Sequence, residues 1–165
     1  MLHQTLIPEL KQEGAQTRKM LERVPYERFD WKPHDKSMLL RRLSVHIAEL
    51  PGWIPLTLQT TELDLAQRKY EPTAVGSTEA LLALHDKKLE EAVTALSSAS
   101  DEDLMMPWTL RMGDRVMFTM PRIAVIRTIT LNHIIHHRAQ LSVYLRLLDV
   151  PVPGMYGPSA DEMLG

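Results

Sequence analysis

The sequence predicts an all-α protein, a four-helix bundle with long crossover connections, and three observations lead to this fold class. Four stretches carry apolar residues at the three- and four-residue spacing of an α-helix. Long connections punctuated by proline and glycine separate these stretches. The 165 residues, 44% of them apolar, suffice for one full core, so we expect a single domain over residues 1–165.

The first predicted helix spans residues 2–24. Gly14 weakens its middle, and Pro25 ends it because proline cannot continue the backbone hydrogen bonding of a helix. A connector over residues 26–35 follows, in which Phe29 and Trp31 are expected to pack onto the bundle.

The second predicted helix spans residues 38–58, and either Ser37 or Asp35 is its expected N-cap. Pro51 lacks an N–H and its ring clashes with the preceding turn, so we expect a kink there and a second break at Pro55. On the apolar stripe of this helix, His46 stands where a leucine is expected.

The third predicted helix spans residues 79–96, with Ser77 or Thr78 as its N-cap. It follows a polar connector over residues 60–76, in which a short helical piece is expected at residues 62–68. After a break, residues 101–104 are expected to form a single helical turn.

A short β-hairpin is expected at residues 108–118, because Gly113-Asp114 is a turn signal between two strand-like runs. The fourth helix starts near residues 119–122, with Thr119 as its cap and Pro121 in its first turn, and continues without glycine or proline to residue 150. The tail, residues 151–165, is expected to be irregular as far as residue 159 and to lie back against the bundle.

Composition argues against several classes of function. The net charge of −2 and the lack of a long Lys/Arg run argue against a nucleic-acid partner. No apolar stretch approaches the ~20 residues that cross a bilayer, and the first residues lack the features of a signal peptide. The chain has no cysteine, which excludes disulfides, thiolate metal ligands and a cysteine nucleophile. We expect a cytoplasmic protein with no membrane partner.

The strongest functional signal is a cluster of histidines in the fourth helix, within LNHIIHHRAQLSVYL. Residues four apart on a helix are neighbours, so His133 and His137 can point at a single atom. Their face also carries Ile129 and Tyr144 and should be buried, where two imidazoles are costly unless something satisfies them. His46 is the other histidine on an apolar stripe. Three neutral imidazoles suit zinc, nickel, iron or copper and leave coordination positions open, as in catalytic sites.

Alternatives to this site stay open at this level. A histidine on an apolar face is frequently a satisfied core residue, and His136 could replace His137 or serve as an outer hydrogen-bond donor. We expect His3, His34 and His85 to be solvated, because their neighbours in the sequence are polar.

Three polar residues near the histidines are further candidates for a role in the site. Glu49 is either an acceptor or general base beside His46 or a surface carboxylate, and we favour the surface position. Arg138 and Gln140 could orient the ligands or the substrate, whereas a position on the helix surface suits Arg138 equally well. The sequence contains no P-loop, dinucleotide-binding, HExxH or GxSxG motif, and we assign no catalytic residue.

Several segments carry a family resemblance: HIAEL around His46, NHIIHHRAQL around His133 and His137, and the closing LRLLDVPVPGMYGPSADE. The segment FDWKPHDKSMLLRRLSVHIAELPGW precedes and includes the first of them. Together they resemble the DinB-like (DinB/YfiT-type) superfamily of metal-binding four-helix bundles. The resemblance covers residues 29–162.

This resemblance implies a four-helix bundle with two long crossovers, often dimeric, and a divalent ion, typically nickel or zinc, bound by His46, His133 and His137. Characterised members include thiol S-transferases that use bacillithiol or mycothiol and an isomerase that uses mycothiol. We therefore expect a homodimeric, metal-dependent enzyme of the thiol S-transferase or hydrolase type, acting on a low-molecular-weight thiol or another small molecule. The alternatives are a non-catalytic metal-binding or interaction bundle, and a metal-free bundle whose histidines bond to one another.

Overall fold

The structure is a computed structural model that describes residues 1–67 and 71–162, most of them helical. Its α-helices are α1 (His3–Leu21), α2 (Leu40–Glu49), α3 (Trp53–Gln59), α4 (Thr78–Ser97), α5 (Asp101–Met105), α6 (Arg122–Val125) and α7 (Asn132–Leu147). Among the described residues, no helix has the length and apolarity needed to cross a bilayer. Residue 68 of the predicted helical piece and residues 163–165 of the predicted tail lie outside the described residues.

Helices are found in all four stretches that the periodicity predicts, and they share two apolar clusters. Both α1 and α2 pack against α4 and α7. One cluster includes Leu43 of α2 and Leu141 of α7, and Phe29 and Trp31 pack on it as predicted. The other joins α1 and α4 to the segment that precedes α7.

The second predicted helix is split in two at Pro51, as expected. A 3₁₀ turn over Leu50–Gly52 separates α2 from α3. Pro55 lies in the first turn of α3, where a backbone N–H has no partner within the helix. Its missing N–H therefore costs nothing, and the predicted second break at Pro55 is wrong.

The sequence predicts only some of the helix caps correctly. Ser77 is the N-cap of α4, where its hydroxyl accepts a hydrogen bond from the N–H of Ala80 at 3.1 Å. The caps predicted for α2, Ser37 and Asp35, are wrong. That helix begins after Leu39, which makes no side-chain cap, because the chain remains irregular for two residues beyond Ser37.

A three-stranded sheet corrects the all-α expectation. The predicted hairpin forms from β2 (Pro107–Met112) and β3 (Arg115–Pro121), with Gly113 in its turn at φ +58°. β1 (Glu62–Asp64) pairs in parallel with β2, so the short helical piece predicted there is wrong. Arg111 of β2 binds the two carboxylates of β1 at 2.8 and 2.9 Å, a long-range interaction that local periodicity does not reveal.

Helical backbone continues from α6 to α7, but it is not uniformly α-helical. A π segment over Ile126–Leu131 joins the two helices. The predicted start of this helix is confirmed, with Pro121 as the residue before it and not in its first turn. The predicted cap at Thr119 is wrong, because Thr119 lies in β3 and its hydroxyl bonds that of Thr109 at 2.8 Å.

The helices α1 and α4 approach closely at Gly14. A Cβ at this position would lie only 2.5 Å from Cδ2 of Leu89, so only glycine fits without a shift. His85 lies fully buried in the same interface, with Nε2 3.1 Å from the Gly14 carbonyl oxygen. The expectation of a solvated His85 is wrong, since the helix turns this residue inward despite its polar neighbours. His34 is exposed as expected, and His3 is half-buried.

The tail returns to the bundle, as predicted, and its Tyr156 reaches a buried ion pair. Arg138 of α7 is only 2% exposed, and its Nη2 lies 2.6 Å from Oε2 of Glu13 in α1. The Tyr156 hydroxyl donates to the same carboxylate at 2.8 Å and accepts from Arg138 at 2.7 Å. A surface position for Arg138 is therefore wrong, since a guanidinium buried next to a carboxylate is paired and desolvated.

Candidate metal centre

The three histidines singled out in the sequence converge in the structure. Nε2 of His133 lies 2.8 Å from Nε2 of His137 and 3.5 Å from Nε2 of His46. The ring nitrogens available as ligands all lie within 4.8 Å of one another, so the group could hold a metal ion. His137 is buried, and the other two rings are half-buried.

Two irregular segments of helix border this group. His46 lies in the last turn of α2, directly before the 3₁₀ turn. His133 is the second residue of α7, directly after the π segment, and His137 follows one turn later. Such π segments are frequent at functional sites. The packing of α2 on α7 then brings the rings together.

Hydrogen bonds on the far sides of two rings set their tautomers. His133 Nδ1 lies 3.3 Å from the carbonyl oxygen of Ile129, which can only accept, so Nδ1 carries the proton. His137 Nδ1 lies 2.7 Å from Oε1 of Gln140, also an acceptor, while the Gln140 amide nitrogen faces His136 at 3.1 Å. Both Nε2 atoms therefore present lone pairs to each other at 2.8 Å, which is unfavourable unless a cation binds both. The donor set fits a divalent ion.

The surroundings keep these imidazoles neutral. Burial, together with the neighbouring rings of His137 and His133, lowers the pKa of His46 to about 4. Burial also lowers the pKa of His133 and of His137, against the opposing effect of their hydrogen bonds to Ile129 and Gln140. Neutral imidazole is the form that binds metal, so all three rings are ready to bind an ion at neutral pH.

A cavity of about 490 Å³ lies beside His46, which is the one of the three histidines that lines it among the described residues. His46 lines it together with Glu49 and the apolar side chains of Trp53 and Leu56. Thr73, from the connector before α4, donates its N–H at 3.1 Å and its hydroxyl at 2.6 Å to Oε1 of Glu49. Glu49 is half-buried in the cavity wall and accepts both hydrogen bonds from Thr73, so its two interpretations, a partner of His46 and a surface carboxylate, stay open.

The remaining residues near the histidines have distinct positions. Gln140 contacts a candidate ligand, as one interpretation proposed, whereas Arg138 points to α1 and makes no hydrogen bond to the three rings. His136 is exposed and hydrogen-bonds Gln140, so it lies behind His137 and does not replace it. Sequence reasoning missed Thr73 and the Ile129 carbonyl. No sequence pattern marks either group, because Thr73 lies in an irregular connector and the Ile129 carbonyl is a backbone group.

Comparison with known proteins gives a family match for nearly the whole chain. A family model described as the DinB family matches residues 1–164. No curated protein matches the chain significantly.

Two crystal structures of DinB-like proteins resemble this fold. One, from Bacillus subtilis, has a TM-score of 0.71 at 20% identity, over 92% of this chain and 97% of the other. The second, from Bacillus cereus ATCC 10987, has a TM-score of 0.65 at 26% identity, over 88% of this chain and 92% of the other. The likeness establishes a shared fold.

We expect His46→Ala to lower both the metal content and the melting temperature of the protein, because only two of three imidazoles remain to hold the ion. Wild-type protein and variant are reloaded with nickel or zinc, dialysed and compared by elemental analysis and thermal unfolding. The control is His34→Ala, which removes an exposed histidine and should change neither value. Unchanged metal content in His46→Ala would show that His46 is not a ligand.

The lowered pKa values predict a pH dependence of stability for the metal-free protein. A histidine whose folded pKa is about 4, below the unfolded 6.5, binds fewer protons in the folded state. Stability is therefore complete above about pH 6.5 and falls as the pH drops towards 4. Denaturant unfolding with a chelator present, at several pH values in this window, measures the slope. His46→Leu should flatten it, and equal slopes in both proteins would contradict the pKa assignment.

Proposed function

This chain belongs to the DinB family, and from that premise we propose that it is a divalent-metal-dependent enzyme of the thiol S-transferase or hydrolase type. His46, His133 and His137 would hold the ion, with nickel and zinc as the expected metals. One observation carries the proposal: the unprotonated Nε2 atoms of His133 and His137 face each other at 2.8 Å, with Nε2 of His46 beside them. Such a group of lone pairs is complementary to a cation.

The chain's own groups would hold the ligands in position and leave one side open. The Ile129 carbonyl and the Gln140 amide oxygen accept from the Nδ1 atoms of His133 and His137, which directs the Nε2 atoms towards one point. The cavity beside His46 is partly lined by leucine and tryptophan, which reduce the access of water. A divalent ion held there would supply Lewis-acid chemistry, lowering the pKa of a coordinated water or thiol.

The two reaction types differ in the nucleophile that the open side would take. A hydrolase would use water, and a transferase would use the thiol of a small-molecule substrate, since the chain has no cysteine of its own. The DinB-like superfamily that this chain resembles includes members that act on low-molecular-weight thiols. This resemblance favours the transferase. The cavity of about 490 Å³ is large enough for a small molecule of either class.

A non-catalytic metal-binding protein is the second candidate. The three rings come from α2 and α7, so an ion would tie two packed helices together and stabilise the core without any reaction. The open cavity beside His46 favours the enzyme, because a purely structural ion is usually enclosed by four protein ligands.

Four further properties, namely the fold, the oligomeric state, the domain count and the location, complete the proposal. The packing of α1 and α2 on both α4 and α7 supports the four-helix bundle with crossovers that the resemblance implies. The homodimer, the single domain and the cytoplasmic location stay predictions. Exposed apolar residues on the hairpin, namely Met112, Val116 and Met117, support an interface between two copies.

We expect the metal-loaded protein to turn over either low-molecular-weight thiols with electrophilic acceptors or simple esters and amides, assayed in parallel. His46→Ala should lower the rate by on the order of 10²-fold or more, because Lewis-acid activation contributes several kcal/mol to such reactions. The control His34→Ala should retain the wild-type rate. Full metal loading without His46-dependent turnover in either assay would favour the non-catalytic protein, and metal well below one equivalent after reloading would end both proposals.

A further inference from the structure

One charged residue in the wall of the cavity beside His46 comes from α4. Lys88 of α4 lines this cavity, and its side chain passes close to Gly52 in the 3₁₀ turn. A Cβ at Gly52 would lie 3.2 Å from Cδ of Lys88, which is tighter than an ordinary contact. The glycine therefore leaves room for the lysine side chain at the point where α2 gives way to α3.

Among the residues that the structure describes, the charges that line the cavity balance before any ion is bound. Arg42 and Lys88 contribute two positive charges, and Glu49 and Glu71 contribute two negative charges. The candidate metal ligands are neutral imidazoles, and within the described residues no carboxylate belongs to the group that could hold the ion. The two positive charges of a divalent ion would therefore remain uncompensated in a half-buried site. A ligand with two negative groups complements this charge.

Lys88 is able to bind such a ligand although it already has a partner. Its Nζ lies 2.8 Å from Oε2 of Glu91, in a pair three residues apart on one helix with side chains 31% and 38% exposed. Ion pairs of this kind contribute little to stability. Glu91 lines the neighbouring groove between α3 and α4, so Lys88 lies at the border of the two and must turn its ammonium group towards the cavity to meet a ligand there. An ammonium group has three donors and Glu91 uses one of them, so a ligand carboxylate can bind beside Glu91 or replace it.

We propose that the cavity binds a small molecule with a carboxylate in addition to the group that meets the metal ion, and that Lys88 selects this carboxylate. The inference rests on the proposed function, because it requires the three histidines to hold a divalent ion. It narrows the substrate class to mercaptocarboxylates for a transferase and to half-esters or half-amides of dicarboxylic acids for a hydrolase.

Cobalt-loaded protein and matched probes test this inference without an activity assay. ω-Mercaptocarboxylates of increasing chain length are compared with the ω-mercaptoalcohols of equal length, and each Kd is read from the change in cobalt absorption. We expect the acid to bind about tenfold more tightly than the alcohol at the best length, since a charge-assisted hydrogen bond is gained.

Variants at two neighbouring lysines assign this preference to one residue. Lys88→Met should bring the acid-to-alcohol ratio close to one while the alcohol binds as before, and Lys88→Arg should retain most of the preference. Lys87→Met is the matched control, because Lys87 carries the same charge and lines the neighbouring groove between α3 and α4, which Lys88 also lines, but does not line the cavity beside His46. It should keep the full ratio.

The outcomes separate this inference from the proposed function. A ratio near one in the wild type, or a ratio that Lys88→Met leaves unchanged, overturns the inference. If neither acids nor alcohols bind, the thiol reaction is wrong. Binding of succinate and glutarate is then measured by calorimetry. The inference is overturned as well if neither binds, or if Lys88→Met does not weaken their binding. A cobalt content well below one equivalent per chain overturns both this inference and the proposed function.

Discussion

An electrostatic constraint lies at the centre of this fold: neutral imidazoles, partly removed from water, present lone pairs to one another at short range. His133 and His137 both donate from Nδ1 to oxygen acceptors, so their Nε2 atoms face each other unprotonated at 2.8 Å, with His46 close by. A cation bound between them would relieve the repulsion that results. The backbone departs from α-helical geometry on both sides of this group, at the 3₁₀ turn after His46 and at the π segment before His133.

The small sheet helps to position the wall of the cavity although it lies outside the packed helices. β1 continues into Leu65, whose N–H donates to the carbonyl oxygen of Arg111 at 2.9 Å, and Leu65 lines the cavity beside His46. Further along the same connector, Thr73 holds Glu49 through two hydrogen bonds. The hairpin thus anchors the connector at one end, and Glu49 holds it at the other. Leu65 and Thr73 of the connector before α4 therefore form part of the wall beside the candidate site.

A buried ion pair holds α7 directly beside the site. Arg138 follows His137 directly and is held by Glu13 of α1, with Thr17 and Tyr156 as further partners. Removing one partner of such a buried pair typically costs about 3–5 kcal/mol, because the other charge is left uncompensated. This contact limits rotation of α7 about its axis. The orientation of His137 is consequently supported by the anchored neighbour Arg138 and by the hydrogen bond between Nδ1 and Gln140.

The sequence by itself determined the four helical stretches, the break at Pro51, the hairpin turn at Gly113 and the three candidate ligands. Each of these is a local property: an apolar period, a missing N–H, a turn dipeptide, or a histidine on an apolar stripe. Only the tertiary structure decided whether the ring of His46 meets those of α7, since residues 87 positions apart in the chain must come together. It also decided the pairing of β1 with β2 and the burial of His85 and Arg138. The physical reason is that periodicity reports which face of a helix is apolar, whereas the element that covers this face is set by packing across the whole chain.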